Sequence, residues 1–165
     1  MHALVSVLLW FSAIGCGVMA GVYFAFSTFV MTALGRIDQT AGVAAMNAIN
    51  TDILKSLFMP LFFATSLTSL VLGCVALIYW GQQGAIAMLA GGALYVVGMF
   101  VVTVVFNVPL NDALAASDPA SPATVAVWKR YLAEWTMWNH VRTVASAVAS
   151  GLFIAALTSW NSNSI

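Results

Sequence analysis

The chain has 165 residues, is 62% hydrophobic and carries ten charged side chains, five of each sign. A soluble domain of this size carries about 25% charged residues, so there is too little polar surface here to cover a large soluble core. The formal net charge is zero and no basic stripe exists, which excludes nucleic acid as a partner.

The first apolar run, about 3–33, lacks a positive n-region and continues well past "VMAGVYFAFS", a poor cleavage site. It reads as a retained span and not as a signal peptide. Within it "GVMAG" sets Gly17 and Gly21 four apart, a small-xxx-small step that admits a neighbouring helix. The following 34–54 segment is mildly polar. Val43, Met46, Ile49 and Ile53 recur in it at helical spacing, so a short interfacial helix is expected.

From Ser56 to Asn111 no charged side chain appears. As helix that stretch would run roughly 80 Å, against a bilayer core of ~30 Å, so it holds two spans with a break. The spans are expected at about 55–80 and 85–107, joined by the tight "YWGQQGA" connection. Pro109 should stop the second near Asn107, because proline disfavours helix at the residue before it. Ser121 and Pro122 then read as an N-cap and a first-turn proline. Val125, Trp128, Leu132 and Trp135 line one face of the segment that follows, with Lys129, Arg130 and Glu134 on the other. This second interfacial helix, in the 115–135 loop, should flow into a last span at about 136–159.

The expected fold is an all-α membrane protein: one integral membrane domain over 1–165, built as an antiparallel bundle of four transmembrane helices. Both termini then share one side. Arg36, Lys55, Lys129 and Arg130 all fall in the two long loops, which the positive-inside rule places in the cytoplasm with the termini outside. Cys16 and Cys74 lie inside apolar runs and read as small buried residues.

This topology gathers polar residues at one membrane face. Asn50, Asp52 and Lys55 enter the second span. Asn107, Asn111 and Asp112 leave the third, and Trp135, Asn139, His140 and Arg142 enter the fourth. An intramembrane ionisable residue costs several kcal/mol unless paired or wet, which makes Arg142 the strongest functional candidate, with Asp112 or Asp52 as its expected partner. Trp135, Trp138, Asn139, Arg142 and Ser146 follow one helical stripe, with His140 and Thr143 on an adjoining one, so His140 is expected at the edge of any cavity there. The structural alternatives stand beside this. Trp128 and Trp135 also suit an aromatic belt, Arg142 a snorkelling or bundle-locking role, and "NVPLND" a plain helix stop. His2 and His140 fall at opposite faces, which argues against a bis-histidine haem or a His-carboxylate metal site within one chain. A haem or metal shared between subunits stays open, as does a homo-oligomer.

At "GVYFAFSTFVM", "FNVPLNDAL" and "WTMWNHVRTVAS" the chain resembles the anthrone oxygenase-like family of small four-span membrane proteins, over nearly its whole length. Asn107, Pro109 and Asn111, and Trp138, Asn139, His140 and Arg142, carry the most specific parts. The resemblance implies oxidation of a lipophilic anthrone-type aromatic by dioxygen without a cofactor, and a bacterial inner membrane as the location. Under it His140 would serve as base, Arg142, Asn139 and Asn107 would stabilise an oxyanion, and Trp135, Trp138, Asn50, Asn111 and Asp112 would line the pocket. The bilayer and a lipophilic small molecule are the implied partners. The alternative is a non-catalytic accessory or lipophile-binding module, which solid packing around Arg142 would favour. Transport by an oligomer is a weaker third reading.

Overall fold

The structure, a computed structural model, describes residues 2–161. Four of its helices are long and apolar enough to cross a membrane: α1 (His2–Leu34), α3 (Phe58–Ile78), α4 (Ala85–Ala115) and α5 (Thr124–Trp160). Between α1 and α3 lies α2 (Gln39–Ile53), which Asp38 opens by accepting a hydrogen bond from the Ala41 amide at 3.2 Å. The chain is an all-α, four-span integral membrane protein, as its composition requires.

Length explains what the bundle does at its loop end. With 21 residues, α3 is about 32 Å long and just spans a bilayer core; with 33, 31 and 37 residues, α1, α4 and α5 exceed it by roughly 15–25 Å. The 81–84 turn packs against α5 near Ala156 and holds the opposite end level. Gly84 adopts φ +86° there, and a Cβ would strike the Ala156 carbonyl. The excess length therefore projects on the side of the long loops. There the ends of α1, α4 and α5 close with α2 around a second core of Met31, Val43, Met46, Leu110, Leu114, Trp128, Tyr131 and Trp135. The main core, which includes Leu9, Met19, Leu72, Met88 and Phe153, fills the bundle below.

Two boundaries differ from the sequence reading. The third span does not stop at Asn107 but continues through Pro109 to Ala115. The turns just before the proline are π-helical (Val96–Val101 and Thr103–Asn107), and a wider turn accommodates a ring that would collide with the carbonyl four residues back in a regular helix. The Ser121 hydroxyl accepts from the Ala123 amide in a tight turn, and the helix begins only at Thr124. From there it runs unbroken into the last span, so the amphipathic helix and the span are one element.

Candidate functional site

Three π-helical turns fall where the two cores meet: Phe26–Val30 in α1, Thr103–Asn107 in α4 and Tyr131–Trp135 in α5. Shifting from i→i+4 to i→i+5 bonding leaves a carbonyl at the edge of such a turn open to another donor, and two asparagines use this. Asn107 Nδ2 donates to the Trp135 carbonyl at 3.2 Å. Asn139 Nδ2 donates to the Tyr23 carbonyl and to Ser27 Oγ, both at 2.7 Å. Ser27 in turn lies 3.1 Å from Thr143 Oγ1. The helices are thus stitched by side-chain amides at the level where their own ladders are interrupted.

Arg142 sits in this layer with 5% of its surface exposed. Its Nη2 donates to Asn139 Oδ1 at 2.6 Å and its Nη1 reaches Thr103 Oγ1 at 3.4 Å. Aromatic rings flank the guanidinium: Cζ lies 4.4 Å from the Tyr23 ring centre and 5.0 Å from that of Trp135. The expected aspartate partner is absent. Among the described residues the only ion pair joins Arg130 to Glu134 on the surface, and neither Asp52 nor Asp112 reaches Arg142. Nε has no acceptor either. The positive charge is held by an amide, a hydroxyl and π faces, none of which neutralises it.

Beside Arg142 opens a cavity of about 560 Å³, within the size range of small-molecule sites. Tyr23 and Phe26 wall it from α1, Phe58 and Phe62 from α3, Phe100 and Thr103 from α4, and Trp135 from α5. The C-terminal half of α2, from Met46 to Ile53, and Leu54 just after it cover the cavity. Asn50, Asn111 and Asp112 gather at its loop end. Tyr131 ties this rim together: its hydroxyl donates to Asn111 Oδ1 at 2.8 Å and accepts from Asn50 Nδ2 at 3.4 Å. Phe63, Val104 and Val108 also border the cavity and are exposed on the apolar surface, so its mouth faces lipid.

Of the sequence candidates, Arg142, Trp135, Asn111, Asp112 and Asn50 line the cavity. Asn139 does not line it but fixes Arg142. Asn107 is buried behind it as a helix tie. Trp138 stacks on Phe106 at 3.7 Å, away from the cavity, because it lies at the edge of the buried stripe nearest α4. His140 is exposed and does not border the cavity. One residue turns a helix by about 100°, so two residues place His140 nearly opposite Arg142. His2 rests on Trp160 with ring centres 5.3 Å apart, roughly 30 Å along α5 from His140. Among the described residues no three His, Cys, Asp or Glu side chains gather within metal-binding reach.

Tyr23, Tyr131 and the phenylalanines of α3 are site residues that the sequence reading passed over. Tyr131 had a signal: it stands four residues before Trp135 on the stripe that the helix buries.

A family profile for anthrone oxygenase matches residues 45–152. The chain belongs to the anthrone oxygenase family. The matched stretch includes the C-terminal part of α2, the second and third spans, Asn139 and Arg142, and so all of the cavity lining except the α1 residues. No curated protein and no solved structure matches the chain. Family membership supports an oxygenase-type activity and specifies neither substrate nor mechanism.

Proposed function

We propose that this anthrone oxygenase family member binds a lipophilic phenolic aromatic of the anthrone type and oxygenates it with dioxygen. The observation that carries the reading is the uncompensated guanidinium of Arg142 beside an otherwise greasy, lipid-facing cavity. A buried cation without a carboxylate favours a ligand on which negative charge develops, and a preorganised donor in a dry site is worth far more than in water. Among the residues that line the cavity Asp112 is the one carboxylate. It takes the base role that the sequence suggested for His140.

The chemistry closes on these groups. Asp112 removes a proton from the ring methylene, and the charge delocalises to the ring oxygen, where Arg142 holds it. The anion passes one electron to dioxygen, and the resulting substrate radical and superoxide couple through a new C–O bond. The peroxide anion so formed takes up a proton from the Asp112 carboxyl group and becomes a hydroperoxide. The remaining hydrogen on that carbon then leaves as a proton and the O–O bond breaks, giving a ring carbonyl and water. One oxygen atom enters the product and the other becomes water. The substrate supplies all the electrons, so no external reductant and no resident redox cofactor is required.

The test is dioxygen uptake and quinone absorbance with an anthrone-type substrate and protein in nanodiscs. Arg142→Met and Asp112→Asn are each expected to cost about 10²–10³ in kcat/KM. Full activity in Asp112→Asn, whose exposed side chain makes it safe to replace, removes the assigned base. Full activity in Arg142→Met removes the clamp. Binding without turnover by the wild type leaves a lipophile-binding module instead. We place the protein in a bacterial inner membrane with both long loops in the cytoplasm. The membrane is the one the family resemblance implies; the orientation rests on the four Lys and Arg side chains on the long-loop side, against none at the termini or in the 81–84 turn.

A further inference from the structure

A second, shallower hollow of about 230 Å³ lies between α3 and α4, lined by Phe63, Ser66, Leu67, Leu70, Val96 and Phe100. Phe63 and Phe100 border both hollows, with ring centres 6.4 Å apart. The two spaces therefore adjoin, with one pair of rings between them. Residues 63, 66, 67 and 70 form a stripe along α3, and 96 and 100 face them from α4. The groove begins at that ring pair and runs roughly 10 Å toward the 81–84 turn, into the depth of the bilayer. Its lining is almost wholly apolar, whereas the cavity behind it ends in Arg142, Asn50, Asn111 and Asp112.

We infer that the substrate is a head-and-tail lipid: a phenolic ring system seated by Arg142, carrying a hydrocarbon chain that leaves past Phe63 and Phe100 and lies in the α3–α4 groove. The inference rests on the oxygenase-type reading of the cavity and adds the tail. The polarity gradient supports one occupant. The polar end of the composite site lies at the loop end, where a headgroup meets the interface, and the apolar end points where a chain already runs in a bilayer. A tail-less ring would leave the groove to bulk lipid and gain nothing from it.

The experiment compares two phenolic ring compounds, one with a methyl and one with an octyl substituent at the same ring position. Apparent Kd is measured by calorimetry in nanodiscs of fixed lipid content, with empty nanodiscs subtracted. Leu70→Trp and Val96→Trp fill the groove, and Val97→Trp adds the same bulk on the neighbouring exposed face of α4. Partitioning is common to all four proteins and cancels. We expect the octyl compound to bind the wild type and Val97→Trp at least about tenfold more tightly than the methyl compound, and that advantage to vanish in the two groove variants with methyl binding unchanged. An equal octyl advantage in all four proteins overturns the tail. So does wild-type binding of an octyl chain that carries no ring, which would make the groove an ordinary acyl-chain contact. Failure of both ring compounds to bind the wild type overturns the cavity reading itself, a result distinct from either.

Discussion

Asn139 Oδ1 accepts a 2.6 Å hydrogen bond from Arg142 Nη2 one turn along α5, while Asn139 Nδ2 donates to α1 at the Tyr23 carbonyl and Ser27. One amide thus fixes the guanidinium and a helix contact together, and the two functions can be separated. Asn139→Leu removes the donor and the acceptor and strands their partners in a buried layer. It should lower stability in detergent by about 1–3 kcal/mol and reduce turnover. Asn139→Asp keeps an acceptor for Arg142 but neutralises it. We expect it to retain more stability than the leucine variant while losing at least as much activity, measured as Tm beside kcat/KM. If the aspartate variant is fully active, the free positive charge of Arg142 is not what the site uses.

His140 is exposed on the face of α5 turned away from Arg142. His140→Ala should leave kcat/KM and its pH dependence within about twofold of wild type, since a surface substitution away from the site rarely exceeds ±0.5 kcal/mol. A tenfold loss with unchanged Tm would return the base role to this histidine.

That case shows what the sequence can and cannot convey. The absence of charge from Ser56 to Asn111 dictated two spans and so the order of the bundle, because bilayer thickness is a fixed ruler. Arg142 was legible for the same reason: a cation in an apolar helix has few places to go. The His140 orientation was also legible, since two residues apart means nearly opposite faces, yet the density of the Trp-Asn-His-Arg cluster drew the four together. The π-turns were not legible. They follow from how three long helices settle against one another, and they carry α4 through Pro109 and bring Tyr23, Thr103 and Trp135 to Arg142. Nor could the sequence say that Trp138 would choose Phe106 over the cavity, as both positions suit an aromatic at that spacing.

One glycine sets how closely α3 packs on α4. A Cβ at Gly92 would fall 2.6 Å from the Ser69 carbonyl oxygen and 3.2 Å from the Gly73 backbone, where no side chain can move aside. Gly92→Ala should therefore destabilise by about 1–3 kcal/mol. Gly21→Ala is the matched control, for nothing lies within 4 Å of its Cβ position and alanine favours helix. Chemical unfolding in mixed micelles is expected to separate the two, with Gly21→Ala at or above wild type. Equal stability would mean that α3 and α4 sit further apart than the backbone contact at Gly92 requires.

The proposed orientation can be read by labelling. Gly81 lies in the short α3–α4 turn with open space around its Cβ position, and Asp118 lies exposed in the long α4–α5 loop. The native cysteines, Cys16 and Cys74, both sit within spans, where an impermeant maleimide reacts poorly. In intact cells Gly81→Cys should label and Asp118→Cys should label only after permeabilisation, if the proposed orientation, read from the four loop Lys and Arg, puts that side in the cytoplasm. The reverse pattern would invert the protein and put Asp112 and the polar rim of the cavity on the outer face. Labelling of both from one side would contradict the antiparallel path of α4, which the 31 residues from Ala85 to Ala115 carry from one end of the bundle to the other.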